Sequence, residues 1–443
     1  MADARLTAAK ALLYMRQNDG YSNIVIDTAL SESGLRGQDR AFACALFYGV
    51  IERQLTLDYI ISLLTDRKSR IKPKARVALQ MGLYQLLYME KVPESAAVNE
   101  SVKLVRALGV NAAAGFINGC LRSFLRMGKR FSLPEDKLNK LSIKYSCDEK
   151  IVGRLCADYG DEFAEEILCG FEKRDLGVTL RVNTLKTSVS DYLSKLHSCG
   201  VEVEQSELCD TAVIIKNAGD IRSLCGYKEG LFHVQDIASQ LCAKAVCAER
   251  DMKVLDACAA PGGKAFSIAE LMNGDGEVTA CDKYEHKVKM IALGAKRLGL
   301  NNVRAVLRDA ESESNNLYNF DRILCDLPCS GIGIIAKKPE IRYKNVALLD
   351  NLPELQYHLL SLQSNFLKVG GILVYSTCTL FKSENRAVCE RFLSEHDDFE
   401  PYPVLPQIKR AIDEPENMLT LFPHIHGTDG FFISAFVRKG HDR

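Results

Sequence analysis

The sequence lacks a net charge, an apolar run of membrane length and any Cys-x-x-Cys pair. Its 57 Lys/Arg are balanced by 57 Asp/Glu, so no global field draws it to nucleic acid or to a membrane surface. No uninterrupted apolar stretch is long enough to cross a bilayer. The opening MADARLTAAKALLYMRQ reads as a charged amphipathic helix without the continuous apolar centre of a secretion signal, so a cytoplasmic location is expected. Sixteen cysteines are present, but none is spaced as a pair near a suitable histidine pair. A structural metal is therefore not expected, and the thiols read as reduced.

What is present is length and local asymmetry. A chain of 443 residues implies two or three domains. Residues 1–130 hold 19 Lys/Arg against 11 Asp/Glu, and the remainder 38 against 46. A basic front on a neutral chain points to nucleic acid. That front reads as helices. Apolar positions recur at helical spacing from Arg5 to Arg16, from Asp39 to Ile51, from Ala75 to Met89, from Pro93 onward and from Asn111 to Leu125. Arg67 to Arg76 carries six positive charges in ten residues. The run is either a solvated face or a phosphate contact that positions RNA without reading it.

Phe131 to Glu149 reads as a polar connector, and 150–172 as helical. Short strands are expected at Val178–Asn183, Val201–Val203 and Thr211–Ile215, with a helix at Ser188–Ser198, giving a small α+β module that closes at Gly230–Asp236. From residue 253 strands and helices alternate. Strand ends fall at Asp256, Asp282, Asp309, Asp326 and Cys378. Alternation of this kind implies a mostly parallel sheet with helices on both faces, and ligands at the carboxyl ends of its strands.

The stretch that organises the chain is Lys253 to Lys264, KVLDACAAPGGK. A strand ends at Asp256, a turn of small residues follows, and a helix then begins. Small residues admit a ligand close to the backbone, and a helix start offers unpaired N–H groups. Asp282, about 20 residues on, suits ribose hydroxyls. The turn is neither Gly-x-Gly-x-x-Gly nor Gly-x-x-x-x-Gly-Lys-Ser/Thr, which argues against a dinucleotide site and a P-loop.

Asp326-Leu327-Pro328-Cys329-Ser330-Gly331-Ile332-Gly333 and Tyr375-Ser376-Thr377-Cys378-Thr379 each put a cysteine just past a strand end. A cysteine is a strong nucleophile once ionised, but a free pKa of ~8.5 requires the site to activate it. Strand cysteines such as Cys281 and Cys325 read as small buried hydrophobes. Position alone allows either Cys329 or Cys378 as nucleophile.

DACAAPGGK, DLPCSGIG and YSTCT closely resemble motifs of S-adenosylmethionine-dependent RNA cytosine-C5 methyltransferases. The layout resembles the RsmB/Sun family of bacterial 16S rRNA (cytosine-967-C5) methyltransferases, with further likeness at Leu180–Leu185, Gly230–Asp236 and Ala112–Arg126. The resemblance implies an α/β, Rossmann-like methyltransferase domain over 236–443. A NusB-like all-α RNA-binding domain over 1–135 and an α+β module over 145–235 would precede it. It further implies S-adenosyl-L-methionine as cofactor and 16S rRNA as partner, with no membrane, no metal and a monomeric chain. Cys258, Ala259, Ala260, Pro261, Gly262, Gly263 and Lys264 would wrap the cofactor. Asp282 would bind its ribose, Asp309 would lie near the adenine, and Asp326 near the methionine end and the target base. Cys378 would be the nucleophile and Cys329 would assist release, with Lys264 and Asp326 orienting the base. Lys337–Arg342 carries the family's Pro-acidic-Ile core, with Glu340 where Asp is more usual; Arg342 would either meet RNA or lie on the surface. The same chemistry on tRNA or another rRNA site, and a non-enzymatic assembly factor, are the rival readings.

Overall fold

The computed structural model describes residues 3–18, 21–65, 71–172, 177–216, 219–312 and 318–440. The chain divides into two compact units, 1–168 with 337–346, and 169–336 with 347–443. Among the described residues no helix is long and apolar enough to cross a membrane.

The first unit is helical. Helices Ala4–Asn18, Gly37–Glu52, Pro73–Tyr88, Glu94–Ala107 and Ala114–Arg126 lie where the apolar spacing places them. Pro73–Tyr88 is the central one, with Val77, Leu79, Met81 and Leu83 fully buried. Gly82 makes this packing possible, because a Cβ there would meet a Leu121 methyl and Ser101 Oγ at 2.7 Å. Two further helices, Ser22–Ser33 and Gln54–Leu64, have no counterpart in the sequence reading.

Two expectations are corrected here. The polar connector contains a helix, Lys137–Tyr145, capped by Asp136, whose side chain accepts from Asn139 N at 2.9 Å. Arg342 neither meets solvent nor stands free for RNA. It is 3% exposed, and its Nη1 donates to Tyr145 O at 2.7 Å. The whole segment 337–346 folds into the helical unit. The Glu340 carboxylate accepts from Ser22 Oγ at 2.8 Å at the start of helix Ser22–Ser33. The Tyr343 hydroxyl donates to Ile51 O at 2.5 Å and accepts from Gln54 N at 3.1 Å. A glutamate serves where a carboxylate must reach a helix N-terminus. Of the basic run, Arg67, Lys68, Ser69 and Arg70 lie outside the described residues. Lys74 donates to Leu108 O at 2.9 Å and Arg76 pairs with Asp58 at 2.8 Å, so both serve the fold.

The second unit opens with a four-stranded antiparallel sheet of β1 (Val178–Val182), β2 (Val203–Gln205), β3 (Ala212–Ile215) and β4 (Phe232–Val234), in the order β2-β3-β1-β4. Helix Val189–Ser198 belongs with it: Tyr192 and Leu196 share a core with Leu180, Val182, Val213 and Phe232. The larger sheet contains β5 (Lys253–Asp256), β6 (Glu277–Asp282), β7 (Val303–Leu307), β8 (Phe320–Asp326), β9 (Leu367–Thr377), β10 (Phe399–Pro401), β11 (Met418–Leu421) and β12 (Phe431–Arg438). Its order is β10-β12-β9-β8-β5-β6-β7, with β11 on β12. Pairs β7-β6, β6-β5, β5-β8 and β8-β9 are parallel, and β12 runs against β9. The chain winds outward from β5 to β7, then returns to the other side of β5 as β8. The crevice at the carboxyl ends of β5 and β8 is therefore a topological switch point, where open α/β sheets bind ligands.

Candidate active site

The crevice is built by the loop after β5. Gly262, at φ 112°, caps helix Gly263–Leu271 without a side chain. A Cβ on Gly262 would meet the Phe266 ring at 2.3 Å, so the turn requires glycine by conformation and by space. Ala259 N donates to Cys281 O at 2.7 Å, which lays the loop across the end of β6. A cavity of about 180 Å³ results, lined by Gln235, Asp236, Asp256, Cys258, Lys264 and Asp326 with the small loop residues Ala259, Ala260, Pro261 and Gly263.

Asp326 ends β8 and is held from two sides. Lys264 Nζ lies 2.7 Å from its Oδ2, and Ser376 Oγ donates to its Oδ1 at 2.9 Å. Burial works against the Lys264 charge, but the Asp326 carboxylate more than offsets it and raises the lysine's pKa above its ordinary value. Lys264 Nζ also sits 5.1 Å from the centre of the Phe431 ring. Ser376 lies two residues before Cys378, so its bond to Asp326 staples the two cysteine-bearing loops together.

The two cysteines meet. Cys329 Sγ and Cys378 Sγ are 3.1 Å apart. Their loops are braced by Gln356, Glu384 and Asn385, which the sequence reading did not single out, together with Ser330 and Thr379. Ser330 N donates to Glu384 Oε2 at 2.9 Å, Ser330 Oγ bonds Thr379 Oγ1 at 2.6 Å, and Gln356 Nε2 donates to Glu384 Oε2 at 3.0 Å. Asn385 Nδ2 donates to Thr379 O at 3.0 Å. A Glu-Asn pair beginning seven residues past the end of β9 was the available signal; its burial was not visible. The hydrogen bond with Cys378, then burial, lifts the Cys329 thiol well above the ordinary range. Either sulfur can be the donor across this contact.

Asp282 and Asp309 do not line this cavity. Asp282 ends β6, is 8% exposed and accepts from Tyr284 N at 3.0 Å. Asp309 lies two residues past β7 and accepts from Glu311 N at 3.1 Å. Both stand at the carboxyl ends of the strands to one side of β5, and the cysteines stand on the other side. Cys281 and Cys325 are fully buried. The sixteen cysteines form no disulfide. Among the described residues no group of three or more His, Cys, Asp or Glu could hold a metal ion.

Asp256 is the buried carboxylate that the sequence placed at a strand end without giving it a role. It is 0% exposed, and neither of its oxygens has a well-formed hydrogen bond. Burial, with the Asp326 charge adding to it and Lys264 opposing, pushes its pKa up to about 7. An acid raised in the folded state above its unfolded value stabilises the fold fully below about pH 4, and loses that contribution as pH rises through about 7. Unfolding free energy of the ligand-free protein should therefore fall across that window. Asp256→Asn should flatten the fall, leaving the part due to Glu270, which burial also raises to about 7 despite Arg181. Urea midpoints collected against pH measure both slopes; equal slopes in the two proteins would refute the assignment to Asp256.

A switch-point crevice with a glycine loop, in a sheet of this order with one antiparallel strand, defines a Rossmann-like methyltransferase domain. The comparisons give the family. The model described as 16S rRNA methyltransferase RsmB/F matches residues 244–437, the NusB family model matches 2–126, and the RsmF/B-like ferredoxin-like domain matches 149–222. The chain is 38% identical to a Bacillus subtilis protein described as a probable ribosomal RNA small subunit methyltransferase B, over 98% of each chain. It is 35% identical to a Synechocystis protein with the same description, over 98% of this chain and 99% of the other. The crystal structure of the protein PH0851 superposes with a TM-score of 0.83 at 25% identity, over 99% of each chain. The chain belongs to the RsmB/F methyltransferase family.

Proposed function

We propose that this protein methylates carbon 5 of a cytosine in 16S rRNA, of the cytosine-967 type, through a transient bond between Cys378 and carbon 6 of the base. The observation that carries this reading is the 3.1 Å contact of Cys329 and Cys378 beside the Lys264–Asp326 pair. The relatives' descriptions as small subunit rRNA methyltransferases supply the substrate.

The residues present fit S-adenosylmethionine. Its amino-acid end carries an ammonium and a carboxylate, and Asp256 offers the first two unpartnered buried oxygens. Cys258 to Lys264 would wrap it, Asp282 would take its ribose hydroxyls, Asp309 would lie toward the adenine and Asp326 toward the methionine end. When bound it supplies an electrophilic methyl group.

Carbon 5 of cytosine is a poor nucleophile. The Cys378 thiolate adds to carbon 6, its electron pair forming the carbon–sulfur bond and displacing the pair of the ring's 5,6 double bond onto carbon 5. Lys264 and Asp326 orient and polarise the base while that charge develops. Carbon 5 would use that pair to take the methyl group, the electrons of the broken methyl–sulfur bond staying on the donor's sulfur. A base would then take the carbon-5 proton, and the electrons of that C–H bond would reform the ring double bond as the bond between carbon 6 and the Cys378 sulfur breaks. Cys329 assists this release by donating its S–H to the departing Cys378 sulfur. The target base must leave its stack at a cost of a few kcal/mol, which favours single-stranded or loop RNA.

Bisulfite sequencing of 16S rRNA from a strain lacking the gene tests the reading. One protected cytosine should become fully convertible, and should regain protection on complementation with wild type but not with Cys378→Ala. An unchanged 16S profile, with a lost mark in tRNA or 23S rRNA, would overturn the substrate. No lost mark in any RNA would overturn the activity.

A further inference from the structure

One polar side chain in the cavity has no part in the chemistry above. Gln235 is 6% exposed and its backbone is fixed on both sides. Its N–H donates to Thr179 O at 3.1 Å at the end of β4. The next residue, Asp236, caps helix Ile237–Ala245 by accepting from Ala238 N at 2.9 Å. The side chain is fixed as well. Its Oε1 accepts from Ser267 Oγ at 2.6 Å and faces His233 Nε2 at 3.3 Å. That leaves Nε2 turned toward Gly263, where a Cβ would meet it at 3.6 Å. Nε2 is buried and makes no hydrogen bond.

A buried amide donor without a partner is costly, and a donor held in this way points to a ligand that completes it. Gly263 also opens a nine-residue helix, whose first backbone N–H groups have no partner within the helix. Two independent sets of donors therefore converge on one side of the cavity, while the bare oxygens of Asp256 supply acceptors. Donors for an anion and acceptors for a cation in one amino-acid-sized space match the zwitterionic end of an α-amino acid.

We infer that Gln235 Nε2, with the amino terminus of helix Gly263–Leu271, binds the α-carboxylate of the methyl donor's amino-acid portion. This inference rests on the reading of the donor as S-adenosylmethionine. The carboxylate would seat against the helix start and accept from the amide, and this would fix the direction in which the donor's sulfonium faces the two cysteines. Ser267 and His233 hold the amide in that orientation.

Isothermal calorimetry on the full chain tests it with two ligands, S-adenosylhomocysteine and 5′-methylthioadenosine, which lacks the amino-acid end. Gln235→Leu should weaken S-adenosylhomocysteine about tenfold. Gln235→Glu, which places a second anion against the carboxylate, should weaken it about a hundredfold. Both variants should bind 5′-methylthioadenosine within about twofold of wild type, which also certifies their fold. Variants that bind S-adenosylhomocysteine as wild type does would overturn the role of Gln235, and so would an equal loss for both ligands. An unchanged affinity for S-adenosylhomocysteine with a raised KM for RNA would assign the amide to the target base instead. Wild type that binds neither ligand would overturn the donor reading itself.

Discussion

Cys378→Ala should lower methyl transfer to 16S rRNA by at least about a thousandfold, and Cys329→Ala should lower turnover while letting the enzyme–RNA adduct accumulate. The two sulfurs sit 3.1 Å apart, so distance to a base does not separate their roles. The proposed roles come from the family resemblance, with Cys378 adding to the base and Cys329 donating to the departing sulfur. The contact with Cys378 and burial raise the Cys329 pKa, which suits a thiol that donates. On the proposed mechanism, loss of Cys378 removes the push of electrons onto carbon 5 and should be felt in every turnover. Loss of Cys329 should let the first bond form but deprive the leaving sulfur of its hydrogen-bond donor. Single-turnover and steady-state rates on the same RNA distinguish these cases. A Cys329→Ala enzyme that fails in the first turnover, beside an active Cys378→Ala enzyme, would exchange the two roles.

Arg181→Met should cost about 3–5 kcal/mol of folding stability, because it leaves an uncompensated carboxylate in the core. Arg181 on β1 and Glu270 on helix Gly263–Leu271 are both fully buried, with Nε 2.7 Å from Oε2. The guanidinium also reaches Thr211 Oγ1 at 3.0 Å. This pair fastens the four-stranded sheet to the helix that starts the glycine loop. Replacing both partners, Arg181→Met with Glu270→Leu, should recover most of the loss, since a buried pair exchanged for apolar groups of similar size is near neutral. The single variant's deficit should grow as pH rises above about 7, where Glu270 of the wild type ionises against Arg181 while the variant's carboxyl, without that partner, keeps its proton. Urea unfolding at two pH values measures the cycle. A deficit that is equal at both pH values, or a double variant no better than the single one, would contradict the buried-charge account.

The catalytic sheet was legible because its signals are local. Each glycine, strand-end aspartate and flanking apolar run reports on the few residues around it, and KVLDACAAPGGK contains the strand, the turn and the helix start together. The helix Pro73–Tyr88 was legible for the same reason. Other features were hidden because their causes lie far along the chain. Helix Ser22–Ser33 is rich in serine, a modest helix former, and it meets Glu340 from 318 residues away. Arg342 resembles a surface charge in KKPEIRYK and is instead enclosed by the helical unit. Gln235 and the Glu384–Asn385 brace look like ordinary polar residues; only burial gives them meaning. Asp136 before Lys137–Tyr145 is the exception, a helix cap that was readable in the sequence and overshadowed by the polarity around it.

The most direct measurement uses an RNA whose target cytosine carries fluorine at carbon 5. Fluorine cannot leave as a proton does, so the covalent complex persists after methyl transfer. Protease digestion and mass spectrometry of that complex locate the sulfur. The account predicts a methylated 5-fluorocytosine on the peptide containing Tyr375-Ser376-Thr377-Cys378, present with wild type and Cys329→Ala and missing with Cys378→Ala. A nucleotide found on the peptide containing Pro328-Cys329, or no covalent complex from an enzyme that methylates the unfluorinated RNA, would contradict it.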